Sequence, residues 1–171
     1  VKRVLVIGHP GSGKSTFAAQ LGKIIGLPVV HLDKEFWQPG WEMTQRELFR
    51  QRVGDLVAAD SWIIDGSYDS TLDIRLPRAD TVIMLDFPRN LCMLRILQRI
   101  VTNFGRVRAD MGDGCPEKID VEFFRFAWNY KRDRYPRINV ALRTHFPNGK
   151  VIALKGPAAV VQFLSEARFT P

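Results

Sequence analysis

A chain of 171 residues, 46% hydrophobic and 25% charged, has the size and composition of one globular domain with a single core, and a cytoplasmic location is expected. No apolar run approaches the ~20 residues a bilayer span needs, and no targeting segment is expected ahead of the first strand. Two cysteines, Cys92 and Cys115, are too few for a disulfide scaffold or a structural zinc site, while 25 Lys and Arg against 18 Asp and Glu, a charge of +7, favour anionic partners: a nucleotide first, nucleic acid second.

Val4-Leu5-Val6-Ile7 predicts a buried parallel strand, and the run Gly8-His9-Pro10-Gly11-Ser12-Gly13-Lys14-Ser15 after it fills every position of G-x-x-x-x-G-K-[ST]. Glycines at 8, 11 and 13 let the backbone curl so that successive N–H groups face an anion, and a helix starting near Lys14 adds its free N-terminal N–H groups and dipole. Gly8, Pro10, Gly11, Ser12, Gly13, Lys14, Ser15 and Thr16 are therefore the candidate ATP-binding residues, with Lys14 reaching the β- and γ-phosphates and the Ser15 hydroxyl ligating Mg²⁺.

That helix, about Lys14 to Ile25, shows Phe17, Leu21, Ile24 and Ile25 at helical spacing and stops at Gly26; Pro28 then forces extension into a second strand, Val29 to Leu32. Asp33 stands at the carboxyl end of that strand, where open α/β sheets bind ligands, and is followed by an aromatic loop carrying Phe36, Trp37 and Trp41 that either plugs the core or faces the site. Thr44-x-x-Glu47 reads as a capping box for a helix to about Ala59. Trp62 to Asp65 is a third strand ending in Asp65-Gly66, a place that suits water-mediated Mg²⁺ binding or a bare turn.

Thr81 to Asp86 gives the fourth strand, with Asp86 expected to cap the next helix, about Arg89 to Asn103. This helix sets Arg95 and Arg99 one turn apart beside an apolar set of Leu91, Leu94, Leu97 and Val101. The segment 104–118 is rich in glycine and charge and reads as a mobile lid. A long helix over Ile119 to Tyr135 turns Val121, Phe124, Ala127 and Trp128 inward, places Arg125 and Arg132 on one face, and kinks or restarts at Pro136. Lys150 to Leu154 is the fifth strand, and an amphipathic helix with Val160, Val161 and Leu164 follows Gly156-Pro157.

The order of P-loop, Asp65-Gly66, Asp86-Phe87-Pro88 followed by Arg95 and Arg99, then a glycine-rich lid, resembles the adenylate-kinase-like nucleoside monophosphate kinases over nearly the whole chain. Within that group, His31-Leu32-Asp33 through Trp41, with Arg108-Ala109-Asp110-Met111, is similar to small bacterial proteins labelled the DNA topology modulation protein family. The resemblance implies that Arg95 stacks on the donor adenine, that Arg99 touches donor phosphates, and that Arg106 and Arg108 in the lid and Arg125 and Arg132 after it reach the transferring phosphoryl group. It also implies that the backbone at Gly156 contacts adenine. Adenylate kinases follow the Asp-Gly with Phe-Pro-Arg, but here Ser67-Tyr68-Asp69 stands instead, so a monophosphate clamp would have to come from Arg75 or Arg78. Asp33 resembles the arrangement in P-loop kinases that phosphorylate a hydroxyl, such as uridine, shikimate or gluconate kinases.

The expected architecture is an α/β P-loop NTPase: a three-layer sandwich on a five-stranded parallel sheet of order 2-3-1-4-5, one domain over 1–171, with the lid at 104–118 and an acceptor-side segment at 33–60. The expected activity is an ATP- and Mg²⁺-dependent phosphotransferase, a monomer or homodimer, acting on a nucleotide, nucleoside or other alcohol. In it Asp33 serves the acceptor hydroxyl, Trp37, Trp41 and Tyr68 stack on the acceptor, Arg75 binds it, and Ser15 and Asp65 serve the metal. The rival expectation is an ATP-gated DNA-binding protein, for which the charge of +7 speaks and against which no nucleic-acid-binding signature is found.

Overall fold

Residues 4–8 are buried at every position, the burden of a strand covered on both faces: Leu5 and Ile7 enter one hydrophobic core, and Val4 and Val6 enter another on the opposite side of the sheet. The computed structural model describes residues 1–167; the last four residues of the domain expected over 1–171 lie outside the described residues. Along the chain run β1 (Arg3–Gly8), α1 (Lys14–Ile25), β2 (Val29–His31), α2 (Leu32–Phe36), β3 (Trp37–Gln38), β4 (Glu42–Met43) and α3 (Arg46–Ala58). They are followed by β5 (Trp62–Asp65), α4 (Leu72–Arg75), β6 (Thr81–Leu85), α5 (Arg89–Asn103), α6 (Val121–His145), β7 (Lys150–Leu154) and α7 (Pro157–Ala167).

Five strands form one parallel sheet in the order β2-β5-β1-β6-β7, which among the strands of that sheet is second, third, first, fourth, fifth. Phe17, Leu21, Cys92 and Leu164, from α1, α5 and α7, cover one face, and Phe49, Val53, Leu72, Tyr130 and Ile138, from α3, α4 and α6, cover the other. The fold is thus a three-layer α/β/α sandwich. The carboxyl ends of β1, β2 and β5 lie together, with Val6 and His31 both in register with Asp65.

Several local expectations change. β2 is an edge strand paired only with β5, and once the ladder ends at His31 the chain curls into α2, so Asp33 sits on a helical turn instead of after a strand. Thr44 does not cap α3: its hydroxyl donates to Glu35 O at 3.1 Å and accepts from Gln38 Nε2 at 2.8 Å, closing the β3–β4 hairpin onto α2. Asp86 does not cap α5 either; Pro88 is the N-cap, and Asp86 Oδ1 takes Lys131 Nζ at 2.6 Å and Tyr135 Oη at 2.9 Å, fastening α6 to the end of β6.

α5 turns Cys92, Ile96 and Ile100 inward and leaves Leu94, Leu97 and Val101 exposed. α6 runs unbroken through Pro136 and buries Ala127, Tyr130 and Ile138, whereas Val121 and Trp128 are exposed. Val161 of α7 is likewise exposed. Each of these helices carries apolar residues on more than one face, and the neighbour it meets selects the stripe.

Phe49, fully buried on α3, packs edge-on against Phe36 and Tyr68 at ring distances of 5.0 and 5.1 Å. Phe49→Ala is expected to lower the unfolding free energy by about 3–5 kcal/mol in urea titration. A loss under about 1 kcal/mol would mean that this core does not support the α2–Tyr68 wall.

Candidate active site

The glycine-rich loop folds back over the start of α5 so closely that a Cβ on Gly11 (φ +78°) would stand 2.5 Å from Cys92 O, a distance no side chain tolerates. Gly8 is as close to Leu85 O, and its N–H and C=O are both held by the Ser67 hydroxyl, at 3.0 and 2.9 Å. His9 is buried inside the loop, its Nδ1 2.6 Å from Pro10 O and its ring edge-on to Tyr130 of α6. Lys14 Nζ donates to His9 O at 3.0 Å; burial pulls its pKa down, against the opposing pull of Asp33 and Asp65. Ser12 Oγ is buried in the same loop without a hydrogen-bond partner, which fits a cradle for a phosphate oxygen.

Around Lys14 the carboxyl ends of β2 and β5 bring further charges. Asp33 accepts from Tyr68 Oη in a short hydrogen bond, and burial raises its carboxyl pKa against the bond from Tyr68 and the charges of Lys14 and Arg108. Asp65, buried, accepts from His31 Nδ1 at 2.8 Å, a bond that holds the imidazole above its usual range. Among the described residues no three His, Cys, Asp or Glu side chains form a metal cage. Ser15 and Asp65 nevertheless supply the hard oxygen donors that suit Mg²⁺, an ion that keeps waters and substrate phosphates in its shell.

The arginines divide into those the structure brings here and those it does not. Arg95 donates to Ser12 O at 3.2 Å and lies over the Phe87 ring; Arg99 and Arg108 converge on Glu117, each at 3.0 Å. Arg75 differs from the expectation: fully buried, it donates to Gly66 O, Tyr68 O and Thr71 Oγ1 and so braces the turn after β5 instead of meeting an acceptor. Arg106, Arg125 and Arg132 have exposed side chains, and Arg132 pairs with its neighbour Asp133. On α6 it is Lys131 and Arg134 that turn inward, to Asp86 and Asp69. Gly156 precedes α7, with open space where a side chain would stand.

The aromatic loop packs largely on itself. Trp37 meets Phe36 and Trp41 edge-on at 5.0 and 5.4 Å, and the Tyr68 ring lies against Phe36 and Phe49 while its hydroxyl serves Asp33. Phe36 and Phe49 also line a cleft of about 710 Å³ with Arg46, Asp69 and Arg137. The lid closes over this loop: Trp41 Nε1 donates to Pro116 O at 3.0 Å, Gly40 N to Gly114 O at 2.9 Å, and Cys115 Sγ to Gln38 O at 3.1 Å. Trp41 adopts φ +65° to do so, and Gly114 lies too close to Pro39 for a side chain. Met111 and Cys115 are the buried anchors of a segment whose composition reads as mobile.

Ser67, His31 and Glu117 are site residues that the sequence did not single out. Ser67 follows Asp65-Gly66 directly, and His31 lies two residues before Asp33, so position relative to the motif is the available signal; nothing in the sequence points to Glu117.

No protein-family model matches the chain. It is 29% identical over 107 residues to an adenylate kinase of Clavibacter michiganensis subsp. michiganensis (61% of this chain, 52% of that protein). It is 24% identical over 106 residues to one of Thermosipho melanesiensis (60% and 48%). The chain thus spans about half the length of these curated relatives. Among solved structures it is similar to a shikimate kinase from Acinetobacter baumannii in complex with shikimate, with a TM-score of 0.61 and 14% identity over 97% of this chain and 90% of that one.

Trp41→Phe keeps the ring and removes the indole donor, and should cost about 1 kcal/mol of stability and speed amide hydrogen exchange at Gly40 and Glu117. Unchanged exchange at both amides would show that the loop and lid are not fastened through this bond. The chain shares the three-layer α/β/α fold of the shikimate kinase.

Proposed function

We propose that this protein is an ATP- and Mg²⁺-dependent phosphotransferase that moves the γ-phosphoryl group to a hydroxyl of a small molecule, a nucleoside, nucleotide or other alcohol. The observation that carries the reading is the convergence on one loop of a buried Lys14, two carboxylates at the ends of β2 and β5, and Arg95, Arg99 and Arg108 from α5 and the lid. Loop N–H groups and Lys14 hold the β- and γ-phosphates, and Arg95 lies beside the loop on the donor side. Ser15 and Asp65 would hold Mg²⁺, which would supply charge neutralisation on the phosphates.

Asp33 is the acceptor-side base. The acceptor oxygen forms a bond to the γ-phosphorus as the bond to the β–γ bridging oxygen breaks, the hydroxyl proton passes to an Asp33 carboxylate oxygen, and ADP carries away the electron pair. A carboxyl pKa raised by burial makes Asp33 a better proton acceptor than an exposed aspartate. Tyr68 orients that carboxylate through its hydroxyl. A hydroxyl acceptor agrees with the shikimate bound to the structural neighbour and with the missing Phe-Pro-Arg grip after Asp65-Gly66. Nucleic acid has only the charge of +7 to recommend it.

Thermal-shift screening of nucleosides, nucleotides and small alcohols with a non-hydrolysable ATP analogue present should find the acceptor, since only an acceptor adds stability beyond the donor's own. With that acceptor, Lys14→Ala is expected to cut transfer by about 10²–10³-fold or more while leaving the fold intact; an unaltered rate removes the P-loop from the mechanism. Asp33→Asn should lower kcat far more than ATP affinity. It should also abolish the acidic limb of the wild-type profile, where the rate falls as Asp33 is protonated at a pH above the ordinary carboxylate value of ~4. A substitution that changes only ATP binding refutes the acceptor-side role.

A further inference from the structure

Two guanidinium groups side by side repel each other, and an enzyme that needs both near one phosphoryl group must hold them there before the phosphate arrives. Arg99, on the last turns of α5, and Arg108, in the lid, are such a pair, and between them stands the carboxylate of Glu117, with only 4% of its side chain exposed. Oε1 accepts from Arg99 Nη2 at 3.0 Å, and Oε2 lies 3.0 Å from Arg108 Nε. Glu117 is itself fixed by backbone: its N–H donates to Arg106 O and its C=O accepts from Gly105 N, both at 2.9 Å, so the two ends of the lid are stitched together at this residue. Arg108 is further braced by Asp110 at 3.0 Å, and Arg99 lies over the Phe123 ring. Arg99 gives Glu117 one of its five N–H donors, Arg108 meets Oε2 as an ion pair without a hydrogen bond, and Arg99 Nε is buried without a partner.

We propose that Glu117 is a positioning residue for phosphoryl transfer: it offsets the repulsion between Arg99 and Arg108 and holds both guanidinium groups with donors left over for the γ-phosphoryl oxygens. The proposal rests on the phosphotransferase reading and adds to it a residue that touches no substrate. A carboxylate so deeply buried is costly unless it is fully paired, and here it is paired with two cations that the chemistry requires. Arg99 and Arg108 face two carboxylates, Glu117 and Asp110, so the cluster is close to neutral and what it offers a phosphate is the guanidinium N–H donors those carboxylates leave free.

The test compares ADP with a non-hydrolysable ATP analogue, each with Mg²⁺, by isothermal titration of the full chain, so that the ratio of the two Kd values isolates what the γ-phosphoryl group contributes. Wild type should bind the analogue more tightly than ADP. Glu117→Gln should leave ADP affinity within about twofold and lower the ratio about tenfold, the effect of losing one charge-assisted contact. In an R99A/R108A background the same substitution should not move the ratio, a pattern that general loss of structure does not produce. Should Glu117→Gln fold poorly, Arg108→Lys keeps both charges but removes Nε, and should lower the ratio in the same way.

An unchanged ratio in Glu117→Gln, or tighter analogue binding because the carboxylate competes with phosphate, overturns the proposal while leaving the kinase reading standing. A wild type that binds ADP but shows no preference for the analogue overturns it too. A wild type that binds neither nucleotide brings down both.

Discussion

The close backbone approach in the P-loop, the seating of Gly11 on the Cys92 carbonyl and the Ile96 side chain, decides much of what surrounds it. Because the P-loop rests there, α5 must turn Cys92 and Ile96 toward it, and Arg95 and Arg99, three and seven residues after Cys92, then border that buried stripe instead of facing solvent. The contact at Gly8 does the same for β6, whose carbonyl at Leu85 leaves no room for a side chain. Two close approaches therefore fix the anion cradle, the fourth sheet strand and the arginine-bearing helix as one rigid unit.

On that unit the protein assembles buried charge, which water would otherwise stabilise. Lys14 is opposed by Asp33 and Asp65, Asp65 is bonded to His31, and Asp33 is bonded to Tyr68; none of these ionisable groups sits in the interior alone. The arrangement is close to neutral around Lys14 and basic toward α5 and the lid, so the field points toward the place a polyphosphate would occupy. Groups held in this way need little reorganisation when charge shifts along a transferring phosphoryl group.

The parts of this design that obey local rules were legible in the sequence. The P-loop and the limits of α1 follow from glycine, lysine and periodicity, and the five sheet strands follow from short β-branched runs between turn residues. What escaped depends on partners that capping and periodicity rules do not name. Thr44 and Asp86 carry ordinary capping signatures, yet Gln38 and Glu35 bind the one, and Lys131 and Tyr135 the other. Arg125 and Arg132 share a face of α6, but the face that meets the sheet is set by Ala127, Tyr130 and Ile138, which leaves those arginines outside. Arg75 reads as an acceptor-binding cation because no sequence rule shows that three oxygens of its own turn surround it.

The segment 104–118 shows contacts that composition leaves out, and they bear on how the two halves of the site are joined. Glycine and charge at 104–118 describe a segment free to swing, but Met111 and Cys115 are buried and three hydrogen bonds tie it to 38–41. Net of solvent, such bonds contribute about 1 kcal/mol each, enough to favour one arrangement and too little to lock it. The aromatic loop and the segment bearing Arg108 are then joined, and Arg108 already shares its field with Asp33. On the proposed phosphotransferase reading, an acceptor that ordered Trp37 and Trp41 would also steady the Arg108 guanidinium, so that the charge constellation would be completed with both substrates present and transfer to water disfavoured.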